Sequence, residues 1–124
     1  MIVEEIMKRP FVVEKDITLK EAAKIMKEKK IGSLIYLVNE KVKGIITEGD
    51  LTRDFGKQEK ITQVMKPTVI IVEVNESVEN AVELMKANKI KRLPVLSNGK
   101  LVGIITSTDI IANFAELEED FIFE

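Results

Sequence analysis

The chain has 124 residues, 45% apolar and 32% charged, with a net charge of −2 and neither cysteine nor histidine. That length suffices for one domain with a real core, and the near-neutral balance argues against a nucleic-acid surface built on phosphate neutralisation. Lack of Cys and His removes disulfides, thiolate nucleophiles, histidine-based triads and ordinary zinc sites, while the absence of a long apolar run or signal-peptide core gives a cytoplasmic expectation with no membrane partner.

Met1–Met7 reads as a short strand or helical turn, and Pro10 biases the chain before it towards an extended entry into Phe11-Val12-Val13. Thr18-Leu19-Lys20-Glu21 is a capping-box pattern. The helix it opens places Leu19, Ala22, Ala23 and Met26 on one face. Ile31–Val38 reads as a strand, Asn39-Glu40-Lys41 as a turn, and Val42–Ile46 as the second strand of a hairpin. Thr47-Glu48-Gly49-Asp50 then opens a helix with Leu51 and Phe55 apolar, and residues 58–62 form a polar connection.

The order then repeats. Val64-Met65-Lys66-Pro67 leads into Thr68-Val69-Ile70-Ile71-Val72, answering the first lead with a slip of a residue or two. Ser77 caps a helix with Val78, Ala81, Val82 and Met85 inward. Ile90–Leu96 and Leu101–Ile105 are strands joined by Ser97-Asn98-Gly99-Lys100. Gly103-Ile104-Ile105-Thr106-Ser107-Thr108-Asp109 matches Gly44-Ile45-Ile46-Thr47-Glu48-Gly49-Asp50 at five of seven positions, at an offset of 59. A fixed offset of that size means internal duplication. Lys27–Lys30 and Lys86–Lys91 read as solvated helix ends that suit the dipole. The acidic stretch Glu116–Glu124 carries Leu117, Phe121, Ile122 and Phe123, which suggests docking on the same chain or on a partner, with a frayed end as the alternative.

Each Thr-x-x-Asp has two readings. A threonine hydroxyl and free backbone N–H groups at a helix start suit an anion, and the aspartate can accept hydrogen bonds from paired ribose hydroxyls. The same spacing is also a capping box that serves only the helix, and spacing alone favours the cap.

Taken together, the extended-helix-strand-strand-helix order in both copies, the Met-x-x-Pro and Met-x-Pro leads, Arg92-Leu93-Pro94-Val95 and the Gly-apolar-apolar-Thr-x-x-Asp endings resemble a tandem pair of CBS domains, a Bateman module. The resemblance spans residues 6–115. It implies an α/β fold of two β-α-β-β-α repeats packed through their sheets with pseudo-two-fold symmetry. The boundaries would be 1–57 for repeat one, 58–63 for a linker and 64–124 for repeat two with the tail. It further implies a non-enzymatic sensor, with no catalytic residue, metal or required cofactor. The ligand would be AMP, ADP, ATP or S-adenosylmethionine, bound in clefts between repeats. In the favoured site Asp109 would hold the ribose, Thr106, Ser107 and Thr108 with Arg92 would face phosphates, and Thr68, Val69 and Ile70 would line the adenine. In the weaker site Thr47 and Asp50 take these roles beside Phe11, Val12 and Val13, with Arg53 either helping or pairing with Asp50. Glu48 in place of Ser107 and Ser33 in place of Arg92 weaken that site for phosphate. A homodimer and a separate effector protein are the expected partners, and nucleic acid is not. The rival reading is a ligand-free interaction module whose boxes are only caps.

Overall fold

A computed structural model describes residues 1–54, 59–66 and 69–113. Phe55, Gly56, Lys57, Gln58, Pro67, Thr68, Phe114 and the acidic stretch from Glu116 lie outside them. In order, the elements are a 3₁₀ turn (Val3–Glu5), β1 (Val12–Val13), α1 (Leu19–Lys29), β2 (Ser33–Val38), β3 (Lys41–Thr47), α2 (Glu48–Arg53), α3 (Ile61–Val64), β4 (Val72–Glu73), α4 (Val78–Asn88), β5 (Arg92–Ser97), β6 (Lys100–Thr106) and α5 (Ser107–Ala112). The fold is mixed α/β, with two three-stranded sheets ordered β1-β2-β3 and β4-β5-β6. In each, the short leading strand runs parallel to the middle one and the hairpin is antiparallel.

The helix starts follow the side chains. The Thr18 N–H donates to Glu21 Oε1 and the Glu21 N–H donates to Thr18 Oγ1, both at 3.1 Å. The Thr18 N–H and the Thr18 hydroxyl both donate to Glu21 Oε1, and these two bonds hold the Glu21 carboxyl below its ordinary value. Ser77 Oγ accepts from the Asn80 N–H at 3.1 Å. Both long helices end on a lysine in the left-handed region, Lys30 (φ 56°) and Lys89 (φ 54°).

The hairpin turns use the positive-φ pairs that match strand twist: Asn39 (φ 51°) with Glu40 (φ 64°), and Asn98 (φ 51°) with Gly99 (φ 79°). Glycine removes the steric cost that Glu40 bears there. Glu40→Gly is therefore expected to raise stability by about 1 kcal/mol, read from the urea midpoint at unchanged slope.

The chain forms two compact units, and their membership crosses the sequence repeat. One unit holds Phe11–Val69; the other holds Met1–Pro10 together with Ile70–Glu124. Val3 and Ile6 sit in a core with Val72, Val78, Leu93 and Ile105. Ile61 belongs to the core of Leu19, Ala22, Met26, Leu34 and Ile46. Each leading turn thus packs on the repeat it does not precede. The Val3 N–H donates to the Glu76 carbonyl (2.8 Å), and Lys8 exchanges two backbone bonds with Ile104 (both 2.9 Å). The connection expected to be polar therefore carries a buried anchor: Ile61 has no exposed surface.

The matching glycines of the repeat have a packing reason. A Cβ on Gly103 would stand 2.5 Å from Met7 Sδ and 3.2 Å from the Lys8 carbonyl oxygen; on Gly44 it would meet the thioether of Met65. Each leading methionine lies on the bare backbone of a hairpin strand. One expected core position differs: Ala22 is buried but Ala23 is exposed. It lies at the edge of the inward stripe, where helical spacing alone does not decide the side.

Candidate ligand-binding site

In the second repeat, Arg92 opens β5 directly opposite Thr106, the last residue of β6. Val72 of β4 pairs with Val95, so Ile70 enters the sheet at the end where Arg92 and Thr106 stand. Thr106 is also the N-cap of α5. One unit thereby gathers Ile70, Arg92, Thr106, Ser107, Thr108 and Asp109. Val69 clusters with the other unit, and Thr68 lies outside the described residues.

The Thr-x-x-Asp box is a formed cap. The Thr106 N–H and hydroxyl donate to Asp109 Oδ2 at 3.0 and 2.9 Å, and the Asp109 N–H donates to Thr106 Oγ1 at 3.1 Å. The Ser107 N–H donates to the Lys91 carbonyl at 2.9 Å. These bonds narrow the expectation of free N–H groups at the helix start, because the cap and the neighbouring strand entry satisfy those of Thr106, Ser107 and Asp109. Among the described residues, Thr108 alone of residues 106–109 keeps an N–H without a protein acceptor. The Asp109 carboxylate is buried, yet only its Oδ2 is engaged; among the described residues Oδ1 has no partner.

The first repeat builds the same cap with one difference. The Thr47 N–H and hydroxyl donate to Asp50 Oδ2 at 2.9 and 3.0 Å, and the Asp50 N–H donates to Thr47 Oγ1 at 3.2 Å. Asp50 Oδ1, however, accepts from Arg53 Nη2 at 3.2 Å, and the same guanidinium lies 3.3 Å from Asp54 Oδ2. Both oxygens of Asp50 are therefore in use. Ala112 takes the place of Arg53 in the second repeat, so nothing there claims Asp109 Oδ1. Ser33 stands opposite Thr47 where Arg92 stands opposite Thr106. Phe11 (39% exposed) and Val12 (40%) present apolar surface at the strand entry of that unit, while Val13 is packed against its core.

The contribution of Lys91 was not readable from sequence, since a helix-end lysine gives no sign that its carbonyl closes the neighbouring cap. Among the described residues no cluster of acidic, His or Cys side chains could hold a metal ion, and no helix is long and apolar enough to cross a membrane.

Comparison with known proteins agrees with this geometry. The CBS domain family model matches residues 3–57 and again 61–116. The protein MJ1232 of Methanocaldococcus jannaschii is 33% identical over 107 residues, covering 85% of this chain and 36% of its own length. The inosine-5'-monophosphate dehydrogenase of the same organism is 36% identical over 110 residues, covering 87% of this chain and 22% of its own. The chain thus spans roughly a fifth to a third of these two relatives. Among solved structures, the CBS domain pair of protein MJ0100, in complex with 5'-methylthioadenosine and S-adenosylmethionine, superposes with a TM-score of 0.86 at 30% identity, covering 94% of this chain and 98% of that one. With two matched domains covering most of its length and carrying the fold described above, the chain belongs to the CBS domain family as a CBS domain pair, a regulatory rather than a catalytic module.

Proposed function

We propose that this domain pair is a sensor that binds an adenosine-containing ligand, of the AMP, ADP, ATP or S-adenosylmethionine type, at the site built around Asp109. The observation that carries the reading is the unclaimed Oδ1 of a buried carboxylate whose other oxygen is fixed by Thr106. An anchored carboxylate with one free oxygen is suited to accept from ribose hydroxyls. Arg92, opposite Thr106, would supply positive charge to a phosphate, with the Ser107 and Thr108 hydroxyls and the Thr108 N–H as further donors. Ile70, at the strand entry of the same unit, would line the base. The MJ0100 pair, whose crystals hold two adenosine compounds, supports this ligand class. The first site, with Thr47, Asp50, Phe11, Val12 and Val13, would bind more weakly, because Arg53 occupies Asp50 and Glu48 repels phosphate. As a cytoplasmic homodimer, the sensor would pass its signal to a separate effector protein or through its dimer geometry.

The test is thermal melting with AMP, ADP, ATP, S-adenosylmethionine and methylthioadenosine. A ligand at 100 times its Kd adds about 2.7 kcal/mol, a rise of several degrees at this chain length. A shift with one of these compounds is the expected result. Silence from all of them would favour the second reading, an interaction module whose boxes serve only as the caps they visibly form.

A further inference from the structure

The two repeats differ in what stands one turn after each box aspartate. Arg53 and Asp54 follow Asp50; shifted by 59 residues they become Ala112 and Asn113. The Arg53 Nη2 donates to Asp50 Oδ1 at 3.2 Å and to the Val64 carbonyl of α3 at 3.4 Å, and it lies 3.3 Å from Asp54 Oδ2. Asp50 and Asp54 are both buried. Two buried carboxylates and a carbonyl converge on one nitrogen, so the guanidinium is placed more firmly than in a lone surface pair.

The second repeat keeps the cap and drops the cation. Ala112 is exposed and brings no donor, and Asn113 Nδ2 donates to the Asp109 carbonyl at 2.8 Å. Asp109 Oδ1 accepts from no described residue. The cap does not need the arginine, since Thr47 and Thr106 form the same three bonds with their aspartates whether it is there or not. What Arg53 changes is the oxygen that the cap leaves over.

We propose that Arg53 is a built-in competitor for Asp50. Its guanidinium takes the oxygen that a ligand hydroxyl needs, and this sets the first site to a higher ligand threshold than the second. The inference rests on the reading of Asp50 and Asp109 as ribose acceptors, and adds the residue that decides when each is open. A hydroxyl reaching Asp50 Oδ1 must displace a charge-assisted hydrogen bond. The apparent affinity falls by the fraction of chains in which that oxygen is free. Glu48 acts only on ligands that carry phosphate, whereas Arg53 acts on every ligand with a ribose.

Calorimetric titration with methylthioadenosine, which has no phosphate for Glu48 to repel, and with AMP separates these effects. It is run on the unaltered chain and on Asp109→Asn, which leaves the first site intact. In the Asp109→Asn background, Arg53→Ala is expected to tighten binding at least about threefold, and more clearly for methylthioadenosine. Arg53→Lys, which keeps a cation beside Asp50, should gain less. The reciprocal change, Ala112→Arg in the otherwise unaltered chain, should weaken binding by a similar factor while the melting temperature without ligand holds or rises. Because Ala112 is exposed, this variant decides the matter if Arg53→Ala does not fold. Probes bound by the unaltered chain but unmoved by Arg53→Ala and Ala112→Arg would overturn the competitor role and leave the ribose reading standing. An equal gain from Arg53→Lys would overturn it too. Neither probe binding to the chain or to any variant would also overturn it, and the melting screen then says whether the ribose reading falls with it.

Discussion

Replacing Ile61 by alanine is expected to loosen the first repeat and leave the second nearly intact, although Ile61 lies at the head of the second repeat in sequence. Its side chain has no exposed surface and packs with Leu19, Ala22, Met26, Leu34 and Ile46. Its backbone is tied to the same unit, for the Ile61 N–H donates to the Ile17 carbonyl at 2.9 Å and the Leu19 N–H to the Glu59 carbonyl at 2.9 Å. Truncation removes transfer free energy and leaves a cavity that a tight core closes only partly, at a cost of about 2–5 kcal/mol. The reciprocal change, Ile6→Ala, falls in the core of Val72, Val78, Leu93 and Ile105 and should loosen the second repeat by a similar amount. Amide exchange resolved by strand reads both: Ile61→Ala should speed exchange in β2 and β3, and Ile6→Ala in β5 and β6. The opposite assignment would mean that each leading turn packs on its own repeat.

Asp109→Ala is expected to remove half or more of the nucleotide-induced rise in melting temperature, whereas Asp50→Ala should leave most of it. Two effects separate within this prediction. Alanine removes the cap on α5, whose loss costs about 0.5–2 kcal/mol of stability without ligand. It also removes the carboxylate oxygen proposed to hold the ribose; a charge-assisted hydrogen bond is worth about 1.5–3 kcal/mol, a fall of roughly 10- to 150-fold in affinity. Asp109→Asn is the sharper probe, since its amide oxygen can still accept from the Thr106 N–H while the charge is gone. Calorimetric titration of Asp109→Asn showing unchanged affinity would remove Asp109 from the site. Asp50→Ala should still cost stability, because it takes one partner from the Arg53 guanidinium as well as breaking the cap.

The features written locally were legible in the sequence. Thr18, Ser77, Thr47 and Thr106 announce their caps because capping is a contact three residues long. The two hairpins follow from Asn-Glu and Asn-Gly, since turn geometry fixes strand register. What escaped is tertiary. A repeat offset says that two segments are alike, but not which unit each packs on, so the exchange of the leading turns was invisible. Gly44 and Gly103 marked the duplication without revealing the methionine that rests on each. At the site, the residue types and the asymmetry of Glu48 against Ser107 could be read directly. The backbone bond from Ser107 to Lys91 could not, because it joins segments that only the fold brings together.

The exchange of leading turns also sets an order of assembly. Every residue that closes the unit of Phe11–Val69 lies within a single unbroken stretch, so the last of them follows the first by fewer than sixty positions. The other unit needs Met1–Pro10, which lies about sixty residues before its partners, so Val3 meets Glu76 and Lys8 meets Ile104 only once Ile70 onwards is in place. Loop-closure entropy makes such distant contacts the slower ones. During synthesis the first ten residues therefore emerge well ahead of the chain they pack against. The core around Val3 and Ile6 is therefore expected to close later than the core around Ile61.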